Sequence, residues 1–122
     1  MRLLLDTNVL IRWHADRLRP AAVRAVRRAD LVAVSAVSAW EIAVKRALGK
    51  LKLEDPVEEI VSQNGFLGLP VTVRHGDLLR DLPRHHPDPF DRLLIVQALE
   101  EGLTILTSDR AFELYRVPVV WA

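Results

Sequence analysis

Cysteine is absent from this 122-residue chain, which excludes disulfide staples, thiolate zinc sites and a cysteine nucleophile together. No apolar run approaches the roughly 20 residues that a membrane-spanning helix needs. The opening run Leu3-Leu4-Leu5 meets an acid at Asp6 and is too short for the core of a secretory signal, so a cytoplasmic location is expected. The chain has no repeat, linker or low-complexity tract, and its length suits one domain spanning residues 1–122. With half of its residues apolar and 27% charged, it has the balance of a globular protein rather than a disordered one.

The net charge of +1 hides an asymmetry. Residues 1–50 carry ten Lys/Arg against Asp6, Asp16, Asp30 and Glu41, a balance of +6; residues 51–122 carry −5. Fourteen of the seventeen basic residues are arginine, whose planar fork suits bidentate contact with phosphate or carboxylate. An arginine-rich half fits a phosphate-bearing partner, though a plain solvated surface accounts for it equally well.

Helices and strands alternate along the chain. Arg2–Leu5, Leu31–Val34, Phe66–Val73, Leu103–Thr107 and Val117–Trp121 read as strands. Val9–Ala15, Pro20–Arg28, a helix opened by Ser38, the stretch from Glu54-Asp55-Pro56 to Gln63, Arg74–Asp81, Phe90–Glu101 and Asp109–Tyr115 read as helical. In the Ser38 helix, Trp40, Ile42, Ala43, Val44, Ala47 and Leu48 form the expected buried side. This order predicts a three-layer α/β domain, a mostly parallel sheet with helices on both faces.

Four acids draw attention: Asp6, Glu41, Asp91 and Asp109. Each has an ordinary structural explanation. Asp6 and Asp109 stand where a strand ends and a helix cap belongs. Ser38-Ala39-Trp40-Glu41 matches a capping box, and Asp88-Pro89-Phe90-Asp91 has the same shape. Yet in a parallel sheet, strand C-termini and the following helix N-termini share one edge, where ligands bind. All four acids belong to that edge. Converging carboxylates repel one another unless some take protons or a cation intervenes. A hard divalent ion with oxygen ligands, Mg²⁺ or Mn²⁺, answers that need. Beside arginines, such a site suits phosphodiester cleavage by a metal-activated water.

Leu4-Leu5-Asp6-Thr7-Asn8, Ser38-Ala39-Trp40-Glu41-Ile42-Ala43, His86-Pro87-Asp88-Pro89-Phe90-Asp91-Arg92 and Leu106-Thr107-Ser108-Asp109 together resemble PIN-domain ribonucleases, in particular the VapC-like toxins of bacterial toxin–antitoxin pairs. The resemblance runs from Arg2 to about Trp121. It implies a metal-dependent endoribonuclease whose acidic positions fall on Asp6, Glu41, Asp91 and Asp109, with products ending in 5′-phosphate and 3′-hydroxyl. It also implies a structured RNA substrate, a small cognate antitoxin and a toxin homodimer. Asp88 competes for the third place, but its position before Pro89 favours a cap and leaves Asp91 as the ligand. Asn8, Ser38 and Thr107 either support the acids through hydrogen bonds or serve ordinary turn and cap chemistry.

His85 and His86 are adjacent, which disfavours joint zinc ligation; a loop on the substrate rim, or plain solvent exposure, is the expectation for both. Trp40 and Phe90 flank proposed ligands and offer faces for base stacking, but both fit apolar helix faces, which favours core packing. A phosphoaspartyl phosphatase would need an acid where Asn8 stands. A receiver domain would need paired acids after the first strand and a late lysine, and none follows Lys52. The remaining alternative is a PIN-like module that binds RNA or protein without cutting, which the four filled acidic positions argue against. The apolar run Val9-Leu10-Ile11-Arg12-Trp13 is expected to leave an interface on the surface.

Overall fold

The computed structural model describes residues 1–122. In chain order the elements are β1 (Arg2–Leu5), α1 (Thr7–His14), α2 (Pro20–Arg28), β2 (Leu31–Ser35), α3 (Ala36–Ala47), α4 (Val57–Gln63), β3 (Leu67–Leu69), α5 (Val73–Leu78), α6 (Pro89–Glu101), β4 (Thr104–Thr107) and β5 (Val119–Trp121). One-turn 3₁₀ segments occupy Leu79–Asp81 and Arg110–Leu114. The five strands form one sheet in the order β3-β2-β1-β4-β5, and every pairing is parallel. The expected mostly parallel sheet is therefore wholly parallel.

Burial on both faces explains why the strands read as continuous apolar runs. On one face Leu3, Leu5, Val32, Val34 and Leu106 meet Val9 and Leu10 of α1, Val26 of α2, Ile42 of α3 and Ile60 of α4. On the other, Leu4, Ala33 and Ile105 meet Val37 of α3, Leu94, Ile95 and Ala98 of α6, and Phe112. The chain adds β2 and β3 to one side of β1, then crosses to place β4 and β5 on the other. The switch point, where an open α/β sheet forms its crevice, therefore lies between the C-terminal ends of β1 and β4.

Several boundaries differ from expectation for identifiable reasons. β3 is only three residues long. Beyond Pro70 the chain turns at once toward Thr72, whose hydroxyl accepts from the His75 amide and caps α5. The last expected helix is a 3₁₀ turn. α3 starts earlier than expected: Ser35, the final residue of β2, accepts from the Val37 amide at 3.0 Å and is the cap. With no loop between strand and helix, Ser38 falls inside the first turn and points inward, so the Ser38–Glu41 capping box does not form. That phase buries Val37, Ser38, Glu41 and Ile42, and leaves Trp40, Ala43, Ala47 and Leu48 exposed.

α1 also departs from expectation. Val9 and Leu10 are fully buried and Ile11 and Trp13 partly so, with Trp13 packed near Phe66 and its indole N–H bonded to Asn64. The run is absorbed by its own core.

α6 is the most enclosed helix. Asp88 caps it, Pro89 occupies its first turn, and Gly102 closes it in the left-handed region at φ 67°, a conformation that penalises any side chain. Gln97 ties it to the sheet: its carbonyl accepts from the Ser35 hydroxyl and its amide donates to the Pro70 carbonyl at 3.1 Å. Replacing Leu94 by Ala should remove about 3 kcal/mol of stability through the cavity left between α6 and the sheet. Urea unfolding should show a lower midpoint with an unchanged slope.

Candidate active site

Each acid is delivered by a different part of the switch point. Asp6 is the first residue after β1 and buried. Although it stands at the N-cap of α1, its side chain caps nothing; the Thr107 hydroxyl donates to its Oδ2 at 2.6 Å. The same hydroxyl accepts from the Asp109 amide at 3.0 Å, so one β4 side chain orients the acids that follow both central strands. Glu41 enters from α3 and is buried. Its Oε2 receives Lys45 Nζ, one helical turn later, at 2.8 Å, whereas its Oε1 is buried with no hydrogen-bond partner at all.

Asp91 lies in the first turn of α6. Asp88 Oδ1 accepts from the amides of Phe90 and Asp91 at 2.8 and 3.2 Å. Asp88 is thus the cap, and the Asp91 side chain is left for the crevice. Asp109 is the most exposed of the four; its Oδ1 accepts from the Ala111 amide.

His86 occupies a place that the sequence reading assigned to solvent. It is buried, packed edge-on against Phe112, and its Nε2 lies 3.1 Å from Asp91 Oδ2 and 3.0 Å from Asp109 Oδ2. Its Nδ1 accepts from the Asp88 amide at 3.1 Å. With Nδ1 acting as acceptor, the ring proton resides on Nε2, and that N–H is shared between the two carboxylates. The Tyr115 hydroxyl accepts from the amides of both His85 and His86, anchoring the loop. His85 itself is exposed, as expected. The sequence did hold a signal for His86: a histidine two residues before a helix cap is placed to accept the cap's amide. Lys45 is signalled too, as the i+4 partner of Glu41.

The supporting residues divide. Ser38 and Thr107 are buried, with Ser38 Oγ 2.8 Å from Thr7 Oγ1. Asn8 is exposed and engages only through its carbonyl, to Arg12.

Crowding shows in the protonation of the acids. Burial raises the Asp6 carboxyl, against the Thr107 hydrogen bond and with help from Glu41 and Asp109. Asp91 is pushed up to about 8, by burial first and then by Asp6, Asp88, Glu41 and Asp109. Partial burial works to raise Asp109, but hydrogen bonds from the Ala111 amide and His86 outweigh it and hold the carboxyl below its ordinary value. Lys45 is held in its charged form, chiefly by its bond to Glu41. Asp6 and Asp91 therefore feel the neighbouring acids, and His86, Asp91 and Asp109 offer ligand atoms within 4.8 Å of one another, a group that does not include Asp6 or Glu41. A groove of about 490 Å³ opens beside them, lined by Arg84, His85, His86, Pro87, Pro89 and Arg92.

A carboxyl whose folded-state pKa lies above its unfolded value keeps a proton that the unfolded chain releases, so stability falls as pH rises between the two values. For Asp91 that window runs from 3.8 to about 8. In chelator-treated protein the unfolding temperature should drop between pH 5 and pH 8, by roughly 4 °C for each kcal/mol lost. Asp91→Asn should flatten that slope; an unchanged slope would place the crowding elsewhere.

The PIN domain family model matches residues 3–118. The chain is 33% identical to Ribonuclease VapC22 of Mycobacterium tuberculosis (strain ATCC 25618 / H37Rv) over 128 aligned positions, 97% of each protein. Among solved structures, VapBC2 from Rickettsia felis bound to a DNA fragment from its promoter matches with a TM-score of 0.73 at 15% identity, covering 100% of this chain and 99% of that one. DNA-bound VapBC from Salmonella typhimurium matches at 0.67 with 20% identity, over 99% and 98%. The solved structures share the fold, and the family match over residues 3–118 with the 33% identity shows that the chain belongs to the PIN-domain family.

Proposed function

We propose that this chain is a metal-dependent endoribonuclease, the toxin of a toxin–antitoxin pair. The observation that carries the reading is the buried, unpartnered Glu41 Oε1 facing a cluster in which Asp91 is driven toward its protonated form. A buried carboxylate oxygen without a partner is costly, and a cation is the partner that this donor set suits. Asp6, Glu41, Asp91 and Asp109 would hold one or two Mg²⁺ or Mn²⁺ ions, directly or through water. When bound, such an ion supplies a more acidic water and offsets charge on the phosphoryl group.

The chain's own groups do the rest. Thr107 keeps the Asp6 carboxylate turned to the crevice while positioning the Asp109 backbone. His86 aims Asp91 and Asp109 at a common point through its shared Nε2–H. Burial and the neighbouring acids favour the protonated form of Asp91 in the metal-free chain, a preference that a cation at the site would oppose. Lys45 balances Glu41 from the solvent side of α3. Asp88 and Ser38 support the site through helix geometry rather than through ligation.

Asp6→Asn keeps the shape and removes a charge, so folding should survive while RNA cleavage falls by about two orders of magnitude or more. Chelator-treated mutant should melt no lower than the parent, and Mn²⁺ should raise its melting temperature less. Equal rises would count against Asp6 as a ligand. Incubating the folded parent with RNA across a Mg²⁺ or Mn²⁺ titration tests the reaction itself. Binding without metal-dependent cleavage would favour a non-cutting RNA- or protein-binding module.

The same reading implies a small antitoxin, a homodimer and a cytoplasmic setting; no helix is long and apolar enough to cross a membrane. Light scattering should give the mass of a dimer for the chain alone, and of a larger complex after co-expression with its genomic neighbour. A strict monomer that captures no small neighbour would defeat the partner claim and leave the nuclease claim standing.

A further inference from the structure

Trp40 is 56% exposed, against the expectation that it packs in the core. A lone exposed apolar residue needs no explanation, but this one is braced. Its indole meets the Phe90 ring edge-on, with centroids 4.7 Å apart and planes at 73°. The two rings bridge α3 and α6 at their N-terminal turns, and the residue after each is an acid of the cluster, Glu41 and Asp91. The pair therefore stands next to an acid on each helix, with Trp40 open to solvent.

The surroundings of this pair are mixed: α3 and its C-cap also expose Ala36, Ala43, Ala47 and Leu48, and the charge nearby comes from Lys45 and Arg84. Lys45 lies one turn beyond Glu41 with its ammonium partly exposed. Pro89, the neighbour of Phe90, lines the groove beside His86, where Arg84 is exposed and makes no hydrogen bond or ion pair. A surface that sets an exposed aromatic near an unpaired guanidinium matches a ligand with a π-face on an anionic backbone, the requirements of single-stranded nucleic acid. A protein partner docking on apolar area would have to cover these charges as well.

We propose that Trp40, held by Phe90, is the stacking platform for an unpaired nucleobase of RNA beside the acid cluster, with the adjoining backbone running toward the Arg84 groove. This rests on the ribonuclease reading for its ligand, and on geometry for its place. Every base has a π-face, so the platform selects for unpaired strand rather than for sequence.

The test uses Asp6→Asn protein, which blocks scission, with fluorescent single-stranded RNA and anisotropy as the readout. Adding Trp40→Ala should weaken binding by about 5- to 150-fold, the range for one stacked base. Trp40→Phe should recover most of the loss. A duplex of the same length should bind both proteins alike, as should a strand carrying abasic positions. Unaltered thermal unfolding shows that the exposed substitution has not disturbed the fold. Wild-type affinity in Trp40→Ala, or an equal loss for abasic strand, overturns the proposal. So does a change confined to dimer mass or antitoxin capture, which would make Trp40 a protein contact. If the parent chain cuts no RNA yet binds it through Trp40, the nuclease reading fails and this one stands. If cleavage is intact and Trp40→Ala binds normally, this one fails alone.

Discussion

Mutual repulsion among four carboxylates, confined where the strand order reverses, is the constraint on which the rest of this structure depends. Burial raises the proton affinity of Asp6 and Asp91 first, and like charges nearby add to it; at Asp91 those neighbours are Asp6, Asp88, Glu41 and Asp109. A fold that brings Asp6, Glu41, Asp91 and Asp109 together must hold them there against that force. It does so with neutral donors and one ammonium: the Thr107 hydroxyl on Asp6, the His86 N–H on Asp91 and Asp109, and Lys45 on Glu41. Of these groups only Lys45 offsets a charge of the cluster. They orient it and leave one oxygen of Glu41 unsatisfied, a state that favours an incoming cation.

The scaffold behind the site is correspondingly stiff. β1 is buried on both faces, through Leu4 on one and Leu3 and Leu5 on the other, so the residue that follows it has little freedom. Ser35 caps α3 and donates to Gln97 of α6, and Gln97 reaches on to the Pro70 carbonyl. The two helices that carry Glu41 and Asp91 are thereby locked to the same end of β2. Residues that look like routine caps at one level are, at the next, the joints that fix the spacing of the acids.

How much of this was legible in the sequence varies with the range of the interaction involved. Alternating apolar runs and caps announced a parallel α/β sheet, and the four acids were placed at its C-terminal edge from strand and helix order alone. Asp88 was separable from Asp91 because Pro89 admits only one local geometry. The helix phase at α3 was misread because Ser35 and Ser38 are equally good caps by residue type. Only the end of β2 decides between them, and the choice turned Trp40 outward and Glu41 inward.

Composition and local pattern by themselves determined the class of fold and the element order, since these depend on side-chain period, capping and turn chemistry within a few residues. Tertiary structure alone decided that His86 lies between Asp91 and Asp109, that Thr107 links Asp6 to Asp109, and that α1 buries its apolar run rather than displaying it. Those contacts join residues as many as 101 positions apart. No local propensity encodes such a distance; it is set only when the sheet has assembled and both of its faces are filled.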